Sequence, residues 1–254
     1  MSKTYLESIF DLSHEHPWTK NILAQRKETH DLQWIKEAKE REDEREKKEI
    51  LEENKIYEGR QQIEILNTEI QNCNKCFQEK SNFPAVFTPY TMPQIKHPFI
   101  LFISDYPKEE EEFKSKKPLS GEREMILKKM VKAMNLEEDQ YHHLFSFQCP
   151  CPNEKVKIDF ASQCRDFLLR WIFLLKPSVI ITFGSYATEN LRQKKERLAS
   201  IHGEFLEEKL RYKKEEMKVT IVPIFSLDYL QVNPNMKRTA WEDLKKVINH
   251  DFKA

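Results

Sequence analysis

The sequence predicts an α/β protein of three layers, α/β/α, with a mostly parallel central sheet and a helical N-terminal extension before it. Three observations carry this reading. Short apolar runs rich in Ile, Val, Leu and Phe recur at 99–103, 144–147, 178–183 and 219–224, and uninterrupted runs of that length suit strands buried on both faces. Segments of helical period separate them, and strands that alternate with helices favour a parallel sheet covered on both sides. Residues 1–71 have a different texture, dominated by Glu, Lys and Arg.

In chain order, residues 1–31 hold a short amphipathic stretch and a Pro-Trp turn. From about 32 to 71 the pattern is helical. Residues 39–49 contain no apolar side chain, so that piece reads as a solvated helix supported by i,i+4 charge pairs. Ile56, Ile63 and Ile70 then recur at seven with Leu66 between them. This fits an amphipathic helix resting on the body, or a short coiled coil or partner-binding helix. A proline-rich loop leads into the first strand, 99–103. Helices are predicted over 122–134, 161–175, 186–192 and 241–252, with Gly184 closing the third strand. The division expected is a charged extension over 1–71 and an α/β domain over 72–254. In such sheets, sites form at the carboxyl ends of strands, here at Ser104-Asp105, Cys149, Gly184 and Phe225-Ser226.

Composition narrows the function. The 254 residues have zero formal net charge, which excludes a global attraction to nucleic acid. The charge is uneven, however: residues 1–72 carry 17 Asp and Glu against 12 Lys and Arg, and the remainder is correspondingly basic. A basic body is a hint of phosphate contact. The start of the chain lacks an apolar signal segment, and the longest apolar stretch, 167–175, is interrupted by Arg170 and too short to span a bilayer. A cytoplasmic protein with no membrane partner is expected. Its five cysteines then read as metal ligation or chance, not as a disulfide frame. Cys73 and Cys76 form a C-x2-C pair; Cys149 ends a strand-like run and Cys164 opens a helix. Two thiolates on a tight turn plus two distant ones is what a four-thiolate metal or cluster site requires.

The motifs, taken together, have a known counterpart. The chain reads Ser104-Asp105-Tyr106-Pro107-Lys108, a run of four glutamates, then Lys117-Pro118-Leu119-Ser120-Gly121. It continues Gln148-Cys149-Pro150-Cys151-Pro152, Cys164-Arg165, the Lys176-Pro177 stretch to Phe183-Gly184, and His202-Gly203. It closes with Ser226-Leu227-Asp228-Tyr229-Leu230, Asn233-Pro234 and Trp241-Glu242-Asp243-Leu244-Lys245. In order and spacing, from about Cys73 to Val247, this resembles the iron–sulfur, family four branch of the uracil-DNA glycosylase superfamily.

The resemblance implies that Cys73, Cys76, Cys149 and Cys164 hold a [4Fe-4S] cluster of structural role, with zinc as the alternative occupant, and that Cys151 is a bystander. It implies that DNA, single-stranded or with a base flipped from the duplex, is the partner. The family's acidic residue after the first strand falls on Asp105, and the histidine that stabilises the departing uracil anion falls on Ser226. In the base pocket, Ser104 and Lys108 replace glycines beside Asp105 and Tyr106, Leu119 replaces the stacking phenylalanine, and Phe145 replaces the asparagine that reads uracil. DNA contacts are expected from His202, Tyr229 or Leu230 as a wedge, Asn233, Lys237 and Arg238. Loss of one oxyanion-type donor costs roughly 10²–10³ in rate, so four altered positions argue against ordinary uracil excision. Two readings follow. One is recognition of uracil or another non-standard base, with excision of altered specificity. The other is a non-catalytic DNA-binding or adaptor protein whose residues 1–70 recruit a partner.

Overall fold

The computed structural model describes residues 37, 40–48, 51, 58–73, 98–108, 119–149 and 154–250, with the backbone alone for 154–163. The chain divides into two compact units, Met1–Lys55 and Ile56–Ala254. In the first, residues 40–48 are helical and exposed, as their lack of apolar side chains requires.

The second unit is the α/β body. Its elements are a helix over 58–71 (α1), β1 Ile100–Ser104, α2 Gly121–Ala133, β2 Tyr141–Phe145, α3 Glu154–Leu175 and β3 Val179–Phe183. These are followed by α4 Ser185–Arg192, α5 Leu198–Ile201, β4 Leu206–Tyr212, β5 Glu215–Ile224, α6 Leu227–Val232 and α7 Met236–Ile248. The sheet order is β2-β1-β3-β5-β4. The first four strands are mutually parallel, and β4 pairs antiparallel with β5. The predicted fold class is thus realised.

Side chains alternate across the sheet as the two-residue period demands. Leu101, Ile103, Ile180 and Ile221 join a core under α1, α3 and α4; Ile100, Phe102, Ile181, Phe183, Val222 and Ile224 join a second core under α2, α6 and α7. The rings of Phe102 and Phe183 stack with centroids 5.8 Å apart.

The helix α1 belongs to this body. Ile63, Leu66 and Ile70 are buried in the first core, so the recurrence at seven is a packing stripe and not a free partner face. Ile56 lies outside the described residues. The expected division at 71/72 falls inside the second unit, which begins at Ile56. Glu69 of α1 pairs with both terminal nitrogens of Arg170 on α3. That contact accounts for the arginine that interrupts the apolar run.

Two predicted helices begin earlier than expected: α3 at Glu154 instead of 161, and α7 at Met236 instead of 241. The strand predicted at 219–224 is the second half of β5; its first half, β4, α5 and α6 were not anticipated. Among the described residues, no helix is long and apolar enough to cross a membrane.

Candidate nucleic-acid interface at the strand ends

Because β1, β2, β3 and β5 are parallel, their carboxyl ends share one edge. The chain leaves β1 toward β2 on one side, and β3 lies on the other. That is a topological switch point, where open α/β sheets bind ligands.

Asp105 sits there. It follows β1 and is 9% exposed. Its Oδ1 accepts a hydrogen bond from the Ala187 N–H, in the first turn of α4, at 2.8 Å. Gly184 makes that approach feasible. Its φ of +102° suits glycine, and a Cβ there would lie 2.6 Å from Asp105 Oδ2. Sequence placed Gly184 as the closure of β3; the structure shows it also clears space for the carboxylate.

The other expected pocket residues have settled into structural duties. Ser104 is buried, its Oγ 2.8 Å from Nε2 of buried His143. Burial, with His142 and Arg123 nearby, holds the His143 pKa well below the ordinary histidine value. Leu119 and Phe145 are both buried in the second core, and the Phe145 ring meets His143 edge-on at 5.0 Å. Ser226 is the N-cap of α6, its Oγ accepting the Tyr229 N–H at 3.2 Å. That bond uses a lone pair and leaves the hydroxyl hydrogen unspent. Lys108 forms an ion pair with Asp228, and its Nζ lies 4.9 Å from the Tyr106 ring centroid.

Of the expected DNA-contacting residues, Leu230 requires correction. It is fully buried in the second core, so it cannot serve as a wedge; Tyr229, 42% exposed, is the side chain that α6 offers to solvent. Asn233 caps the other end of α6 through the Tyr229 carbonyl at 3.0 Å. Lys237 and Arg238 are exposed in the first turn of α7. His202 is bound at Nδ1 by Asp243 Oδ2 at 2.7 Å, and its ring lies 4.7 Å from that of Phe225, which in turn lies 5.4 Å from Tyr229. Three aromatic rings, those of His202, Phe225 and Tyr229, thus lie in series at the end of β5.

Two functional candidates were missed. Arg123 is 3% exposed, donates to the Tyr106 carbonyl at 3.4 Å, and has Nε 3.7 Å from Asp228 Oδ1. Asp243 is buried and positions His202. Both were visible in principle. Arg123 falls on the stripe of Leu127, Met130 and Val131, and Asp243 on that of Ala240, Leu244 and Val247. A charge on an apolar stripe is a buried charge and wants a partner.

Of the four cysteines, Cys73 and Cys149 pack against the first core and Cys164 is buried on α3. Cys76 lies outside the described residues. Among the described residues, no three His, Cys, Asp or Glu side chains are grouped to hold an ion. The three described thiols are donors of the kind that a cluster or zinc takes.

Comparison with known proteins identifies the family. The family model described as the uracil DNA glycosylase superfamily matches residues 92–245. The chain is 26% identical over 191 residues to a type-4 uracil-DNA glycosylase of Sulfurisphaera tokodaii, covering 73% of this chain and 83% of that one. It is 24% identical over 191 residues to the type-4 uracil-DNA glycosylase of Saccharolobus solfataricus, covering 73% and 84%. A third, from Archaeoglobus fulgidus, is 25% identical over 125 residues, covering 48% and 59%.

Proposed function

The chain belongs to the uracil DNA glycosylase superfamily, and from that premise we propose that it binds DNA at the carboxyl ends of β1 and β5, recognises a non-standard base there, and releases it with a specificity other than that of an ordinary uracil glycosylase. The observation that carries this reading is the fixed carboxylate of Asp105, held by the Ala187 N–H above Gly184. Breaking an N-glycosidic bond builds positive charge on the sugar. A carboxylate positioned in advance stabilises that charge or orients the attacking water. DNA as the substrate class is supported by the relatives, which are named as uracil-DNA glycosylases.

The packing supports altered specificity. Leu119 and Phe145 are committed to the core, and neither side chain can hydrogen-bond to a base edge. Ser226 carries no charge to stabilise a departing anion. The same facts favour the second reading, a protein that binds DNA without excising a base and works through a partner. In that reading the partner surface lies within residues 1–70, away from the apolar stripe of α1, which is already buried. The four cysteines belong to both readings: Cys73, Cys76, Cys149 and Cys164 would hold an iron–sulfur cluster or zinc, whose part would be to pin the loops around them.

The test is base release by protein purified without air, on single-stranded and duplex oligonucleotides carrying uracil, hydroxymethyluracil, hypoxanthine or xanthine. Release of at least one base, lost in Asp105→Asn with DNA retention intact, is the expected result. Release that survives Asp105→Asn removes Asp105 from the chemistry. Retention without release on every substrate selects the second reading. No retention at all overturns both.

A further inference from the structure

The structure assigns Thr182 and Thr188 to the positioning of the Asp105 carboxylate. The inference deepens the reading that Asp105 serves glycosidic cleavage, and rests on it. Ala187 is the third residue of α4, so its N–H has no acceptor inside the helix. Gly184, the N-cap, has no side chain to supply one. Asp105 supplies it from the end of β1, at 2.8 Å. The seat of the first turn of α4 therefore orients the carboxylate.

A chain of hydroxyls fixes that turn. Thr188 Oγ1 donates to the Gly184 carbonyl at 2.7 Å and lies 2.8 Å from Thr182 Oγ1. A hydroxyl has one proton and a carbonyl can only accept. Thr188 therefore spends its proton on Gly184, and Thr182 is the donor to Thr188. A threonine that bonds back to the carbonyl four residues earlier is common in helices. The bond from Thr182 is what ties this one to the sheet. Thr182 stands on β3 between Ile103 of β1 and Pro223 of β5, and both threonines are buried, so water does not compete for either hydroxyl. The Gly184 N–H bonds to the Ile224 carbonyl at 2.9 Å, which fastens the same turn to β5. At the far end of α4, Arg165 donates to the Asn190 and Leu191 carbonyls and Asn190 Nδ2 to Ser146 Oγ. The helix is thus held at both ends, and the threonine pair governs the end at Asp105. Valine matches threonine in shape and would fill the same space with no polar atom to bury. The two hydroxyls supply direction, not packing.

The experiment compares the full chain with Thr182→Val/Thr188→Val, Thr188→Ser and Asp105→Asn. Replacing both partners of a buried hydrogen bond by apolar groups of the same shape can be nearly neutral for stability. The double valine variant is therefore expected to fold, and Thr182→Val alone serves if it does not. The first readout is the Ala187 amide resonance in proton–nitrogen correlation spectra of the free protein. Asp105→Asn removes the charge on the acceptor and is expected to shift it. The double valine variant is expected to shift it in the same direction, and Thr188→Ser, which keeps the hydroxyl, to leave it in place. The second readout is base release from the four modified oligonucleotides. In the double valine variant kcat is expected to fall roughly tenfold to a hundredfold with KM unchanged, and in Thr188→Ser to stay close to the wild type. An unmoved Ala187 resonance in the folded double variant overturns the proposal. So does a moved resonance with unchanged kcat, because the bond to Asp105 would then be a helix cap alone. If the wild type releases no base from any oligonucleotide, the excision reading falls, and the Ala187 resonance still decides whether the threonines hold the carboxylate.

Discussion

The carboxylate of Asp105 depends on a hydrogen at Gly184. With φ at +102° and ψ at 165°, Gly184 occupies backbone space that glycine alone visits readily, and a Cβ would press on both carboxylate oxygens, at 2.6 and 2.8 Å. Gly184→Ala should therefore destabilise the fold by about 2–4 kcal/mol, strain and displaced carboxylate together. Denaturant titration measures this. In Asp105→Ala/Gly184→Ala the clash partner is absent, so the combined loss should fall short of the sum of the single losses. A Gly184→Ala protein within experimental error of the wild type would show that the carboxylate has room to retreat. At this scale the sequence was partly legible. Asp105, Ser226 and Gly184 were found by their motifs. Arg123 was not, and Asp243, although within the Trp241–Lys245 motif, was given no role, because a charged residue within a helix reads as solvated until its place on the wheel is compared with the apolar stripe.

Among the elements, α1 and the β4–β5 hairpin show what periodicity can and cannot deliver. The recurrence of Ile63, Leu66 and Ile70 marked a helical face correctly, but sequence could not say whether the body or a partner covers it. The structure puts the body there. Leu66→Ala should cost about 2–5 kcal/mol, as for other fully buried leucines, and a chain beginning at residue 72 should be far less stable than one beginning at 56. Equal unfolding midpoints for those two chains would show that α1 contributes nothing to the core. The hairpin escaped notice because its exposed face is densely charged and its turn, Lys213-Lys214, lacks glycine although Lys213 has φ of +53°. Alternation was nevertheless present: Leu206, Leu210 and Tyr212 on one strand share a face with Met217, Val219 and Ile221 on the other. At the start of α3 the apolar residues Val156, Ile158 and Phe160 recur at two, not at a helical period, and before Trp241 α7 has only Met236 and Ala240 as apolar residues, which is why both helices seemed shorter than they are.

For the molecule as a whole, the response to acid follows from two adjacent histidines at the middle of β2. Burial pulls the His142 pKa down to about 3, and His143, hydrogen-bonded to Ser104 and facing Arg123, Phe145 and His142, is held well below the ordinary value by the same cause. In the unfolded chain both regain a pKa near 6.5. The unfolded state therefore binds more protons than the folded one between the two values, and stability must fall as pH drops below about 6.5. Above that pH both states hold neutral imidazoles and the contribution is constant. Each histidine adds a slope of about 1.4 kcal/mol per pH unit within the window. Between about pH 6.5 and 5.5 most carboxylates are still ionised in both states, so this interval isolates the histidines from ordinary acid unfolding. Denaturation midpoints taken across it should decline for the wild type, and the decline should lessen in His143→Gln and again in His142→Gln/His143→Gln. A flat profile in the wild type would mean that the rings take up protons without unfolding. Solvent would then have to reach the strand that borders Asp105, and the burial of Ser104 and Phe145 beside it would fail as well.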